Sequence, residues 1–181
     1  ISITTSNLEM TDGGVINTAT QSSGLGGNVI INAHNISISG QEAIAPVEPL
    51  FGLGNQLASG IFSSSVGDGT FCSGPCGDSG NISIMTGSLN LNDGAAINSG
   101  TSSTGKGGTI NVNASQNISI SGILDDGTTP GGVFSQTIGT DSGSGAGGAI
   151  SLMAGQNFTL SDGATVAANS DGPGHAGNIT I

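Results

Sequence analysis

Apolar and polar residues alternate along this chain in short bursts, and the bursts share an anchor of Gly, one variable residue, then Ile or Val. The anchor stands at Gly27-Asn28-Val29, Gly80-Asn81-Ile82, Gly108-Thr109-Ile110, Gly148-Ala149-Ile150 and Gly177-Asn178-Ile179, and Ile1 fits its last position. Successive anchors lie about 28 residues apart, or farther where a loop is inserted, which is the signature of stacked structural repeats. Strict alternation over four to eight residues predicts half-buried β-strands. In each unit the first strand carries one inward pair: Ile1 and Ile3, Val29 and Ile31, Ile82 and Ile84, Ile110 and Val112, Ile150 and Leu152, Ile179 and Ile181. Their partners Ser2, Ser83, Asn111, Ser151 and Thr180 point outward by the two-residue strand period, with Ile30 as the apolar exception. Second strands follow at Leu8 and Met10, Ile36 and Ile38, Leu89 and Leu91, Ile118 and Ile120, and Phe158 and Leu160; third strands are expected to centre on Ile16, Phe62, Ile97, Phe134 and Val166.

Three short inward-facing strands per unit predict an all-β chain wound as a parallel β-helix, or β-solenoid, in which like residues stack coil upon coil about 4.8 Å apart. The preference of parallel crossovers gives it a right-handed sense. Five coils, about 1–28, 29–81, 82–109, 110–149 and 150–178, and the start of a sixth make residues 1–181 a single solenoid segment. Asp12-Gly13, Asp93-Gly94 and Asp162-Gly163 occupy one bend after the second strand, where Gly supplies positive φ and Asp can bond its local backbone. The second and fourth coils replace that bend with insertions, 41–59 and 123–131, which alternation should bring to one edge of the rod. The chain begins without Met and ends inside a repeat, as expected of a piece of a longer protein.

Composition narrows the classes of partner. Aromatic residues make up 3% of the chain, so no ordinary ring-filled core can form, while the alternating aliphatics argue against disorder. A net charge of -11, with Lys106 as the one basic Lys or Arg, excludes nucleic acid and disfavours anionic lipid or polyuronate partners. Neutral glycans and proteins stay open. No apolar run reaches the about 18 residues of a membrane span.

The phrases GGNVIINAHNISISG, SGNISIMTGSLNLNDGAAINSGTSSTGKGG and GGAISLMAGQNFTLSDGATVAANS resemble the repeats of filamentous-haemagglutinin-type, two-partner-secretion exoproteins, particularly the large cyanobacterial ones. The resemblance covers nearly the whole chain. It implies a stalk or filament segment of a large secreted adhesin at the surface of a Gram-negative-type bacterium, exported through an outer-membrane partner transporter. It also implies contact with a host or neighbouring cell surface. The secretion domain of that family is not evident among these residues. Strand edges at both ends of the segment would pair with flanking coils or with another copy, so self-association end to end or side by side is a further expectation.

Asn-x-Ser/Thr triplets occur at Asn35, Asn81, Asn113, Asn117, Asn157 and Asn178, but the repeat itself generates them: Asn at a bend, an inward residue, then an outward hydroxyl. Stacked amides bonding along the rod are the expected role. Cys72 and Cys76, in Phe71-Cys-Ser-Gly-Pro-Cys-Gly77, are close enough in sequence to close a small disulfide loop; this state is favoured over free thiols, and zinc lacks further ligands because His34 and His175 lie on distant coils. Phe51 and Phe71 are the candidate glycan contacts of the insertions and their neighbouring loop. Asp125 and Asp126 are the one tight acidic pair, and a β-helical polysaccharide-degrading enzyme would need such carboxylates to face each other across about 5 to 9.5 Å. Adjacent residues in a Gly-Thr loop read instead as a solvated turn, and no catalytic triad is present, so the chain is expected not to be an enzyme. No cofactor is expected. Calcium alone could use Asp68, Asp78, Asp141 and Asp171, but the calcium-binding nonapeptide of other solenoids is absent.

Overall fold

The computed structural model describes residues 1–20, 23–43, 56–65, 77–102, 104–139 and 142–181. Among them there is no helix, and hence none long and apolar enough to cross a membrane. The strands are β1 (Ser2–Met10), β2 (Val15–Asn17), β3 (Val29–Ile38), β4 (Gln41–Ala43), β5 (Gln56–Ala58), β6 (Gly60–Phe62), β7 (Ile82–Leu91), β8 (Ala96–Asn98), β9 (Ile110–Ala114), β10 (Asn117–Ser121), β11 (Gly132–Phe134), β12 (Ile150–Ala154), β13 (Asn157–Ser161), β14 (Thr165–Ala167) and β15 (Ile179–Thr180). Fold class is therefore all-β, built on parallel sheets.

The larger sheet runs β1-β3-β7-β9-β12-β15, with β10 joined to β7 and β13. Each strand pairs in parallel with the equivalent strand of the next repeat: Ile31 faces Ile84, Ile84 faces Val112, and Val112 faces Leu152. The first and second predicted strands merge into one in β1, β3 and β7, and stay separate in β9/β10 and β12/β13. Alternation breaks inside β3, where His34 and Asn35 are both exposed between buried Ala33 and Ile36. Two consecutive outward side chains turn the chain without ending its hydrogen bonding.

Val29, Ile31, Ile82, Ile84, Ile110, Val112, Ile150 and Leu152 are buried in the main apolar core. Ile3 packs against it part-buried, whereas Ile1, Ile179 and Ile181 are exposed. Ile30 is exposed on the outer face. The second sheet, β14-β11-β8-β6-β2, corrects the expected phase of the third strands. Its core column is Ile16, Ile61, Ile97, Val133 and Val166, so Phe62 and Phe134 are one residue out of register. They pack on the opposite face with Ala96 and Ala167 as a separate small cluster. Ring size drew the prediction to Phe, but only the slimmer Ile and Val continue the inward column.

Corner geometry is uniform. Asp12, Gly40, Asp93, Gly122 and Asp162 all have positive φ, and Gly13, Gly94 and Gly163 do too. At the Asp-Gly bends both central residues are thus left-handed, as in a type I′ turn, closed by Gly14 N–H to Thr11 O, Ala95 N–H to Asn92 O and Ala164 N–H to Ser161 O at 2.9–3.0 Å. Gly40 and Gly122 keep that conformation where the insertions leave the sheet, which sets both insertions at equivalent corners. The first insertion contains an antiparallel pair, β4 with β5, and the second closes through a bridge between Ile123 and Pro130.

Past the second sheet the two-residue inward period continues in hydroxyls. Thr18, Ser63, Ser99 and Ser135 follow Ile16, Ile61, Ile97 and Val133, and parallel bridges then link Thr20, Ser65, Thr101, Thr137 and Ser170. Ser63, Ser99 and Ser135 are fully buried. Ser63 donates to Gly27 O at 2.5 Å, while Ser99 donates to Gly80 O and Ser135 to Gly108 O. Conversely Gly108 N–H donates to Ser99 O at 2.8 Å and Gly148 N–H to Ser135 O at 3.1 Å. Ser99 and Ser135 therefore each tie an anchor glycine of their own repeat to that of the next. Burying these three hydroxyls is tolerated because each is satisfied, whereas the buried Ser65 Oγ farther along has no hydrogen-bond partner among the described residues.

Candidate functional site

The glycine turns that lead into β3, β7 and β9 enclose an open groove of about 370 Å³. Leu25, Gly26 and Asn28 come from the first turn, Asp78, Ser79, Gly80 and Asn81 from the second, and Lys106, Gly107 and Gly108 from the third. Only glycine lets these turns stack so closely. A Cβ on Gly80 or Gly108 would strike the carbonyl of the glycine one repeat before, Gly27 or Gly80, and Gly105 is crowded by Gly77 in the same way.

Polar groups in the groove are oriented by the backbone. Asn81 N–H donates to Asn28 Oδ1 at 2.8 Å, and Thr109 N–H to Asn81 Oδ1 at 2.8 Å. Each side-chain oxygen is held by the next turn, and the Nδ2 groups of Asn28 and Asn81 take no part in these two bonds. Lys106 N–H donates to Asp78 Oδ1 at 2.8 Å, which sets the chain's one Lys or Arg next to a carboxylate in adjacent turns. Ser79 is buried and donates to Gly100 O at 2.5 Å, so it belongs to the wall. Leu25 is 73% exposed at the rim. The result is a shallow site lined by two stacked asparagines, one lysine, one aspartate and an exposed leucine.

Other expected residues fall elsewhere. Phe51, Phe71, Cys72, Cys76, Asp68 and Asp141 lie outside the described residues. Asp125 is exposed in a turn, and Asp126 caps that turn: Thr128 and Thr129 N–H donate to its Oδ1 at 2.8 and 2.7 Å, and the Thr129 hydroxyl donates to Oδ2. These bonds, led by that hydroxyl, lower the Asp126 pKa to about 2. Asp78 serves the groove, and Asp171 accepts from Asn169 Nδ2 at 3.0 Å. Among the described residues no three His, Cys, Asp or Glu side chains gather so as to hold a metal ion.

The sequon asparagines divide by position. Asn35 Nδ2 donates to Asn7 Oδ1 at 3.1 Å and Asn157 Nδ2 to Asn117 Oδ1 at 3.0 Å, both along one outer column interrupted by Ser88. Asn81 instead reaches the backbone of the next turn, and Asn113 lies within β9 rather than at a bend. Sequence reasoning missed Leu25 and Asn28 as site residues. The signal was their equivalence to Asp78 and Asn81 one repeat on, visible once the turns, as well as the strands, are aligned.

No known family profile, no curated protein and no solved structure matches the chain.

Proposed function

We propose that the chain is a right-handed parallel β-solenoid of five coils plus the start of a sixth, and that it serves as a non-catalytic stalk or filament segment of a large secreted or cell-surface adhesin. The observation that carries this reading is the unbroken parallel register of strands one repeat apart, from β1 through β3, β7, β9 and β12 to β15. Repeat arrays of this kind bear load along an axis through ladder hydrogen bonds, and each repeat relies on its neighbours for burial. The resemblance to filamentous-haemagglutinin repeats supplies the extracellular setting and the outer-membrane transporter as partner.

Asp126 is one of the two acids that a glycan-hydrolysing alternative would have to use. Its carboxylate accepts three bonds inside its own turn, which favour the ionised form and suit it poorly to act as a general acid. Electron microscopy of the intact parent protein at the cell surface tests the stalk reading. Thin fibres with an axial spacing of about 4.8 Å are expected. Compact particles with no such spacing would overturn it.

A further inference from the structure

We propose that the groove between Leu25 and Lys106 binds a neutral pyranose unit of a glycan. A sugar hydroxyl both donates and accepts, and the groove offers both partners at fixed positions. The Nδ2 groups of Asn28 and Asn81, in successive turns, supply donors one strand spacing apart, about 4.8 Å, a step that a single hexose ring bridges. Asp78 accepts from Lys106 N–H through Oδ1, and a carboxylate is a charged acceptor, the stronger kind of hydrogen-bond partner. Lys106 lines the same rim. Leu25, 73% exposed, gives the apolar C–H face of the ring a surface to lie on without any aromatic side chain. The volume, about 370 Å³, lies within the range of small-molecule sites and suits one ring with the rest of the polymer in solvent.

Charge selects the class of sugar. Lys106 and Asp78 both line the groove, and the chain around them carries a net charge of -11, so an acidic polysaccharide meets repulsion that a neutral one does not. The amides need no invading ligand to hold their orientation, because the next turn already fixes them. Such preorganisation keeps the ordering cost of binding low. This site is distinct from the insertions, and its occupancy does not depend on whether the parent protein forms a stalk.

Affinity electrophoresis of the 181-residue chain through gels containing dextran, galactomannan or polygalacturonate tests the assignment. Retardation is expected in at least one neutral gel and absent in polygalacturonate. Asp78→Asn keeps the Oδ1 acceptor that Lys106 N–H needs but removes the charge, and Leu25→Ala removes the apolar shoulder. Each should weaken retention by about tenfold with the melting temperature unchanged. Asp126→Asn, in a remote turn, should leave retention as in the parent chain. Unaltered mobility in every gel would overturn the proposal. So would retention that survives both groove substitutions, retention lost only in Phe51→Ala or Phe71→Ala, or preferential retardation by polygalacturonate. Fibre morphology is unaffected by any of these results, so failure here and failure of the stalk reading are separable.

Discussion

Two kinds of residue set the geometry of each turn: glycines that permit close approach and carboxylates that close bends. Gly24, Gly77 and Gly105 occupy equivalent positions in successive repeats, yet among the described residues a Cβ on Gly24 meets the Thr20 hydroxyl at 3.4 Å and nothing nearer, whereas one on Gly105 runs into the Gly77 carbonyl. Gly105→Ala should therefore cost about 1–3 kcal/mol through forced backbone displacement. Gly24→Ala should be neutral or slightly stabilising, since it restricts the unfolded chain. Thermal melts of the pair check the contrast, and equal losses would refute it. Asp126 gives a pH prediction. Its pKa is lowered from 3.8 to about 2, so the ionised carboxylate favours the folded turn above the ordinary value, and that contribution is lost as pH falls through the folded one. The amide signals of Thr128 and Thr129 should hold steady down to pH 4 and titrate with a midpoint at about 2. A midpoint at 3.8 would show that the capping bonds do not form.

At the scale of elements, the buried hydroxyl column explains how a narrow apolar core closes against glycine turns that contribute no side chain. Ser99→Ala removes the donor to Gly80 O and should cost about 1–2 kcal/mol by denaturant melting. Ser37→Ala, on the outer side of β3, should change stability by less than about 0.5 kcal/mol. Equal effects would mean that the interior hydroxyl bond contributes nothing net. The inward phase of the first strands was legible because Ile, Val and Leu at alternate positions leave one choice of face. The phase of the third strands was not. Ile61-Phe62 and Val133-Phe134 place two apolar residues side by side, and hydrophobicity alone cannot say which faces inward. Extending the period through Ser63, Ser135 and Thr137 would have settled it, because inward residues need not be apolar when carbonyls wait for them. The positive φ of Asp12, Asp93 and Asp162 was hidden for another reason: Gly drew attention as the permissive residue, but a type I′ turn makes both positions left-handed.

For the whole molecule, repetition in sequence becomes repetition in space, and each repeat contributes one strand to each face. The anchors and outer columns followed from spacing. The groove did not, since it is assembled from three turns, and no single stretch containing Leu25, Asp78 or Lys106 carries a motif. Charge is distributed in keeping with this design. The described acids Asp12, Asp93 and Asp162 sit at bends and Asp125 and Asp126 on a loop, leaving Glu9 as the acid on the described outer faces of β1, β3 and β7. Stacked outer positions therefore avoid like-charge contacts. The central claim is that each strand lies in parallel register on its counterpart one repeat away. Isotope-edited NMR of the 17.3 kDa chain measures this through proton contacts between neighbouring strands. The account predicts a continuous series joining Val29 to Ile82, Ile82 to Ile110, Ile110 to Ile150 and Ile150 to Ile179. Contacts in antiparallel order, or none between repeats, would contradict it.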